Sequence, residues 1–543
     1  MNARLLEPSG LEVTDVHWER IQLVLRIRRR QHSEAQLHAG EVHLRPAEGH
    51  QPTLASRPVV GTIGLDERLV RFNVFVGHDQ MPLPPGTWEV VLRRPDTANE
   101  WTAIPAGPDP FTIEDPVREF VSGNAVYRVN VTRTQDQAPL AVKISADAPD
   151  RPSPWSLRTL IPWLRERPRH AWFHLFRLLL GALRRLPAGR PMIVFTSDSR
   201  TSLSGNLKLV HDRLVERNLD RTYQLKMIFK ASIRTRRGLR ERARFVWLLA
   251  RADVILLEDY QPAIYRLPRH SDQRIIQLWH AWGAFKTVGY SRIGKPSGPN
   301  PYSSVHKNYT YATVSSTHEV PFYAEAFGIP DEQVVPTGTP RMDDFLDPSR
   351  QAERREAAYV AIPGTRDREV ILFAPTFRGG SARRARYPVD LIDLDAANAL
   401  CVERDATLIF KMHPFVRRRV DIPDEYRDRL IDVSDLPVET NDLLLITDLL
   451  ITDYSSIVFE YSTLGRPMLF YAFDLDEYIA TRDFYEPFED FVPGRIVRTF
   501  DELVDTIRRE DYQLEKVAPF AARHLPAGNG TATDRIIDEL ILS

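Results

Sequence analysis

From residue 191 onward the chain alternates short apolar runs with segments of helical spacing, and it does so twice. The first round passes through PMIVFTSDS (191–199), SGNLKLVHDRLVER (204–217), QLKMIFK (224–230) and ARFVWLLARADVILLEDY (243–260), then RIIQLWH (274–280), YTYATVSS (309–316) and QVVPTG (333–338). After a charged, helical stretch near 350–370 it restarts with VILFAPTF (370–377), ATLIFKMHP (406–414), LIDVSD (430–435), DLLITDYSS (448–456) and RPMLFYAFD (466–474). Strands alternating with helices are the pattern of a parallel, doubly wound sheet. The expected fold is therefore α/β, with two consecutive Rossmann-like domains at 189–345 and 346–543 facing each other across a cleft. In such sheets ligands bind beyond the carboxyl ends of the strands, so informative side chains should come directly after the apolar runs.

The first 150 residues read differently. IQLVLRIR (21–28), GEVHLRP (40–46), RLVRFNVFV (68–76), TWEVVLRRP (87–95), YRVNVTR (127–133) and LAVKISA (140–146) alternate apolar and polar residues between turn signals. That predicts a β-sandwich-like accessory domain over 1–150. Residues 151–190 then carry nine arginines, His170 and His174 against one acid, Glu166, with Trp155, Trp163 and Trp172 among apolar residues. Such a segment, taken as 151–188, is either a basic amphipathic stretch lying on an anionic membrane or an interdomain helix with solvated arginines. Across the whole chain 72 basic residues meet 73 acidic ones, so no global charge draws it to nucleic acid or lipid. The single Cys401 excludes a disulfide framework and a thiolate metal cluster, which points to a reducing compartment. There is no apolar signal segment and no run near the ~20 apolar residues of a membrane span.

Four segments place reactive side chains after strands. In 448–478, Thr452 and Asp453 end a buried strand, and Ser455 and Ser456 fall in the first turn of the next helix. Two hydroxyls at a helix start make a phosphate cradle, with Glu460 one turn on and within reach of ribose hydroxyls; alternatively Asp453 or Ser455 caps the helix. Lys411 and His413 end TLIFKMHPF, suited to binding a phosphate or protonating a leaving group, or to ordinary structural hydrogen bonds. Thr376 and Arg378 close or directly succeed the 370–377 run, where arginine's planar fork suits phosphate oxygens or simply sits in a surface turn. In QLWHAWGAFKTVGY (277–290), His280 ends a strand, Gly283 permits close backbone approach and Lys286 comes within two helical turns. Two histidines on facing domains provide one group to take a proton from an incoming hydroxyl and one to stabilise a departing diphosphate. A minor landmark, TGTPRMDDF (337–345), places Pro340 and Arg341 at the interdomain hinge.

Taken together and in this order, WHAWGAFKTVGY, GTPRMD, APTFR, KMHP, ITDYSSIVFEYSTLGRPMLFYAFDLDEY and RDFYEPFEDFVPG resemble the CDP-glycerol glycerophosphotransferases and related polyol-phosphate polymerases of teichoic acid and capsule synthesis. The likeness covers about residues 190–510. It implies a GT-B-type transferase that moves glycerol phosphate or a related polyol phosphate from a CDP-linked donor to a lipid-linked acceptor, releasing CMP. Carried over by position, His280 is the general base and His413 lies near the donor pyrophosphate. Arg378, Ser455 and Ser456 would bind phosphates, with Lys411 beside them, while Thr376, Asp453 and Glu460 would position the nucleotide. Ala281 stands where the family usually has glycine, and Trp282 where smaller residues are frequent, which bears on the acceptor more than on the reaction. Glu258 and Asp259, after another first-half strand, are placed to orient His280, and Lys286 is assigned to the acceptor side.

No carboxylate cluster has metal spacing, so no metal or other cofactor is expected; cations and helix N-termini would do what magnesium does elsewhere. The resemblance further implies an acceptor on polyprenyl diphosphate, a cytoplasmic protein peripheral on the inner face of the cell membrane, and residues 151–188 as its anchor. Two other readings stand beside this one: a GT-B glycosyltransferase using a nucleotide-sugar donor, and a non-catalytic membrane-docked scaffold. A nucleic-acid partner is not expected, since the basic residues concentrate in one Trp-rich segment.

Overall fold

The computed structural model describes residues 9–30, 40–48, 53–55, 57–58, 67–77, 81–93, 101–108, 111–122, 125–133, 138–147, 181–184, 189–265, 271–296, 298–379, 382–525 and 530–543. Most of the basic Trp-rich segment, and so the anchor expected there, lies outside the described residues. Residues 11–147 form a five-stranded and a seven-stranded sheet, mostly antiparallel. Leu23, Leu25 and Ile27 of the first and Val90, Val129 and Val142 of the second share one core. The strand Leu11–Glu19 is one that the alternation of residue types does not announce. Its register shifts between Val13 and Asp15, so Leu11, Val13 and Val16 turn inward without a clean period of two. This β-rich region is fastened to the α/β part of the chain by a buried ion pair, Arg20 Nε to Glu325 Oε1 at 2.9 Å, reinforced by Gln22 Nε2 to Glu325 Oε2 at 2.6 Å.

The two rounds of alternation each become a six-stranded, all-parallel sheet. The first is ordered Gln224–Phe229, Met192–Ser197, Val254–Leu257, Arg274–Gln277, Tyr311–Thr313, Val334–Val335. The second is ordered Leu430–Asp432, Ala406–Phe410, Glu369–Phe373, Leu449–Thr452, Met468–Tyr471, Arg495–Val497. Every residue of Met192–Ser197, Val254–Leu257, Ala406–Phe410 and Leu449–Thr452 is buried, as strands covered on both faces require. The strand order reverses beside Met192–Ser197 in the first lobe and beside Glu369–Phe373 in the second, and these two switch points are where each lobe can open for a ligand. The last turns of the chain, Ala532–Arg535 and Ile536–Ile541, return to the first lobe: Ile536, Ile537 and Leu540 pack with Phe195, Leu207 and Leu256, and Asp534 pairs with Arg213 at 2.8 Å.

Two local expectations change. Residues 281–288 are not helical; Lys286 makes an isolated antiparallel bridge with Phe484, which draws this loop across to the second lobe. The helix after Asp453 begins at Ile457 and runs only to Ser462, so Ser455 and Ser456 precede it rather than forming its first turn. Gly283 does allow close approach: a Cβ there would lie 2.1 Å from the Phe459 ring, so only a glycine lets the two lobes touch at this point.

Candidate active site

The first switch point gathers a histidine and two acids. Strand Met192–Ser197 ends in Ser197 and strand Val254–Leu257 leads into Glu258 and Asp259, so these groups meet at the carboxyl edge. Ser199 Oγ donates to Asp259 Oδ2 at 2.5 Å, and Arg200 Nη2 donates to the same oxygen at 2.7 Å. The other oxygen, Oδ1, lies 3.2 Å from Nδ1 of His280. Burial alone would raise the Asp259 carboxyl, but bonds from His280 and Ser199 and the charge of Arg200 hold it well below the usual carboxylate range. Glu258 differs: burial pushes it up, and it bonds to Arg200 Nη1 at 2.7 Å rather than to His280. Of the two acids singled out in the sequence, Asp259 is thus the one that orients the imidazole. Ser199 and Arg200 were not anticipated, although both stand directly after a strand in TSDSR.

His280 is held in place by its neighbour. Trp279 has φ 51°, a left-handed conformation that a bulky residue adopts only under constraint. The constraint is on both sides of its peptide: Trp279 N donates to Gln277 Oε1 at 3.0 Å, and Asn206 Nδ2 donates to Trp279 O at 2.7 Å. The turn leaves the His280 side chain 46% exposed while Trp279 stays buried. With Asp259 on Nδ1, the tautomer assigned from this partner carries its proton there and leaves Nε2 as the basic nitrogen.

At the second switch point the order of interactions is the reverse of what phosphate binding by Arg378 would need. Asp453 is fully buried and accepts from Thr376 N at 2.7 Å and Tyr454 N at 2.5 Å. Arg378 donates to Asp453 Oδ2 at 2.8 Å, to both oxygens of Asp474 at 2.6 and 2.8 Å, and to Thr376 O at 2.5 Å. Tyr454, Phe473 and Tyr478 ring its guanidinium. Arg378 therefore ties two strand ends together and has one N–H left over. Lys411 is likewise committed, donating to the carbonyls of Val433, Leu436 and Val438 at 3.2, 3.4 and 3.0 Å. Ser455 and Ser456 remain partly exposed, Ser455 Oγ accepting only a long 3.5 Å bond from Ile457 N. Glu460 is buried, with Oε2 unpartnered among the described residues and burial pushing its carboxyl up to about 7. A hydroxyl donor would satisfy that oxygen.

His413 sits between the rings of Phe377 and Phe415 and accepts from Phe415 N through Nδ1 at 3.1 Å. An accepting Nδ1 puts the proton of the neutral ring on Nε2, the opposite tautomer to His280. Burial, and then the charge of Lys286, lower its pKa and keep it neutral. Influence from Lys286, which belongs to the first lobe, also shows that the lobes close on one another here. A cavity of about 760 Å³ spans them, lined by Arg200 and Glu258 on one side and Lys411, Pro414 and Asn441 on the other. Arg200 in this lining shares Asp259 with His280, and Pro414 is the chain neighbour of His413, while the two histidines themselves are not in the lining. Its lining holds six basic and three acidic side chains, a balance that suits a phosphorylated ligand.

Among the described residues one group has the makings of a metal site, His318, Glu486 and His524, whose ligand atoms lie within 4.8 Å of one another. It lies at a second contact between the lobes and is already internally bonded, His318 Nε2 to Glu486 Oε2 at 3.1 Å.

Comparison with known proteins shows the family and supports the fold. Residues 180–542 match the family model for CDP-glycerol:poly(glycerophosphate) glycerophosphotransferase. The chain is 44% identical over 425 residues to the teichoic acid ribitol-phosphate polymerase TarK of Staphylococcus aureus, an alignment covering 77% of this chain and 82% of that protein. It is 28% identical over 297 residues to the teichoic acid glycerol-phosphate primase of Bacillus subtilis, covering 54% and 74%. Among solved structures, the wall teichoic acid polymerase TagF superposes with a TM-score of 0.53 at 23% identity, over 70% of this chain and 97% of that one, which supports the fold. A variant of that polymerase has been studied after soaking with CDPG.

Proposed function

Since the chain belongs to the CDP-glycerol:poly(glycerophosphate) glycerophosphotransferase family, we propose that it moves ribitol phosphate from CDP-ribitol onto a hydroxyl at the end of a lipid-linked teichoic acid chain, releasing CMP. Its relatives place it among the polyol-phosphate transferases of teichoic acid synthesis, and ribitol-phosphate polymerases match it at 44% and 41% against 28% for a glycerol-phosphate primase. The mechanism rests on two histidines, His280 on the first lobe and His413 on the second, whose hydrogen-bond partners assign them opposite tautomers. His280 Nε2, with Asp259 behind it, takes the proton of the acceptor hydroxyl as its oxygen attacks the phosphorus bearing the polyol. The bond from that phosphorus to the bridging oxygen breaks, and CMP leaves with the electron pair. His413 Nε2–H donates to an oxygen of the diphosphate as this charge develops. Ser455 and Ser456 hold the same phosphates, and Glu460 accepts from a ribose hydroxyl. Thr376, Arg378, Asp453 and Lys411 keep the rims of the donor pocket in place. Phosphoryl transfer asks little more of a protein than alignment and charge.

Incubation with CDP-ribitol, CDP-glycerol and a panel of nucleotide sugars tests the reading. CMP release with CDP-ribitol, about tenfold faster than with CDP-glycerol, is expected; release of a nucleoside diphosphate from a sugar donor would make the chain a glycosyltransferase, and no turnover with any donor would favour a scaffold. We also expect turnover to survive chelation, because Asp259, Glu258, Asp453 and Asp474 are each committed to arginine; loss on chelation with recovery on adding magnesium would reject that.

No helix among the described residues is long and apolar enough to cross a membrane. We place the protein on the cytoplasmic face of the membrane, where a polyprenyl-linked acceptor resides, with residues 151–188 as anchor. Flotation with anionic vesicles should then be lost when the nine arginines of 151–190 are neutralised. Undiminished flotation of that variant would defeat the anchor.

A further inference from the structure

Beside the cleft lies a second cavity, of about 460 Å³, where the first lobe's 286–305 loop meets Arg482 of the second. Lys286, Arg292 and Arg482 all line it, with Tyr260, Thr287 and Ser303, and its described lining contains no carboxylate. Three cations gathered in a lining that holds no acid repel one another. For two of them this repulsion acts in the same direction as burial. Burial lowers Lys286 to about 8, Arg482 and Arg378 adding to the effect against the opposing charge of Asp453. Burial and then Arg482 lower Arg292 as well.

Their hydrogen bonds do not explain the arrangement. Arg292 Nη2 donates to Pro296 O at 2.7 Å, but its Nε is buried and unpartnered among the described residues. Among the described residues the Arg482 guanidinium makes only a 3.5 Å bond, to Gly379 O. Nearby acids are otherwise engaged: Asp483 with Lys295 at 2.8 Å, Asp453 and Asp474 with Arg378. A buried orphan donor and like charges facing one cavity whose lining holds no acid are what a missing oxyanion leaves behind.

The cavity's position says which oxyanion. Tyr260 is next in the chain to Asp259, the carboxylate behind His280, so one wall adjoins the base that receives the acceptor hydroxyl. Ser455, Ser456 and Glu460, the donor groups, are not in its lining. We propose that Lys286, Arg292 and Arg482 form an oxyanion subsite for the acceptor, taking a phosphodiester of the growing polymer behind its terminal hydroxyl. This rests on the polyol-phosphate transferase reading. It extends that reading by giving the enzyme a reason to prefer an acceptor that already carries phosphate, the condition for a polymerase to continue its own product.

Equilibrium titration needs no turnover, so it separates this proposal from the reaction itself. The full chain is titrated with a short synthetic polyol-phosphate oligomer, with the uncharged polyol, and with CMP. Arg292→Gln and Arg482→Gln should each weaken oligomer binding about tenfold while CMP affinity stays within about twofold, and oligomer binding to the unaltered chain should weaken as pH rises through about 8. Lys286→Met, also monitored by thermal melting, guards against loss of fold in one variant. Unchanged oligomer affinity in folded variants overturns the subsite. Loss of CMP affinity instead assigns the cavity to the donor and equally rejects an acceptor role.

Discussion

Replacing His280 by alanine is expected to lower polyol-phosphate transfer by on the order of 10²–10⁴-fold, the range a positioned general base contributes, while CMP binds as before. Asp259→Asn should cost a comparable amount. The amide can present its N–H to Nδ1, which would flip the tautomer and put the proton on the nitrogen that must be free. The two variants together should lose little more than either alone, since the pair acts as one unit. Rates with CDP-ribitol under saturating donor, and CMP affinity by titration, check this. Full turnover by folded His280→Ala would remove the base. A loss confined to donor affinity would move His280 to the donor side.

Arg378→Ala carries the largest expected effect on stability. Arg378 is 11% exposed and Asp453 1%, and removing the guanidinium strands two carboxylates at the second switch point. Breaking such a buried pair from one side costs about 3–5 kcal/mol. The burial that would lower the arginine is outweighed by Asp453 and Asp474, so it stays charged at any working pH and the loss should appear throughout the neutral range. Urea or thermal unfolding, monitored by a probe of the second lobe, reads it. An unchanged transition with a weakened donor affinity would instead make Arg378 a phosphate ligand, as its position in APTFR first suggested.

That contrast marks how far the residues could be read from their order in the chain. Both parallel sheets were legible in the apolar runs, because a strand buried on both faces must be apolar along its whole length. His280, Asp259, His413 and the two serines were legible for the same reason: each comes after such a run. Leu11–Glu19 was not, because a bulge breaks its alternation. Arg378 and Lys411 were found, but what they touch was not, since their partners Asp474 and Val433–Val438 lie 96 and 22–27 residues away. Arg292 drew no notice, and Arg482, which opens RDFYEPFEDFVPG, was given no role, since neither comes directly after an apolar run.

The sequence by itself determined the two parallel lobes and the carboxyl edges on which the chemistry sits, because periodicity and burial are local properties of a strand. Only the tertiary structure decided which nitrogen of each histidine is free, which arginine braces the pocket and which faces a cavity. Those outcomes depend on hydrogen bonds and charges between groups far apart in the chain, and a single side chain's chemistry is the same in either role until its partner is known.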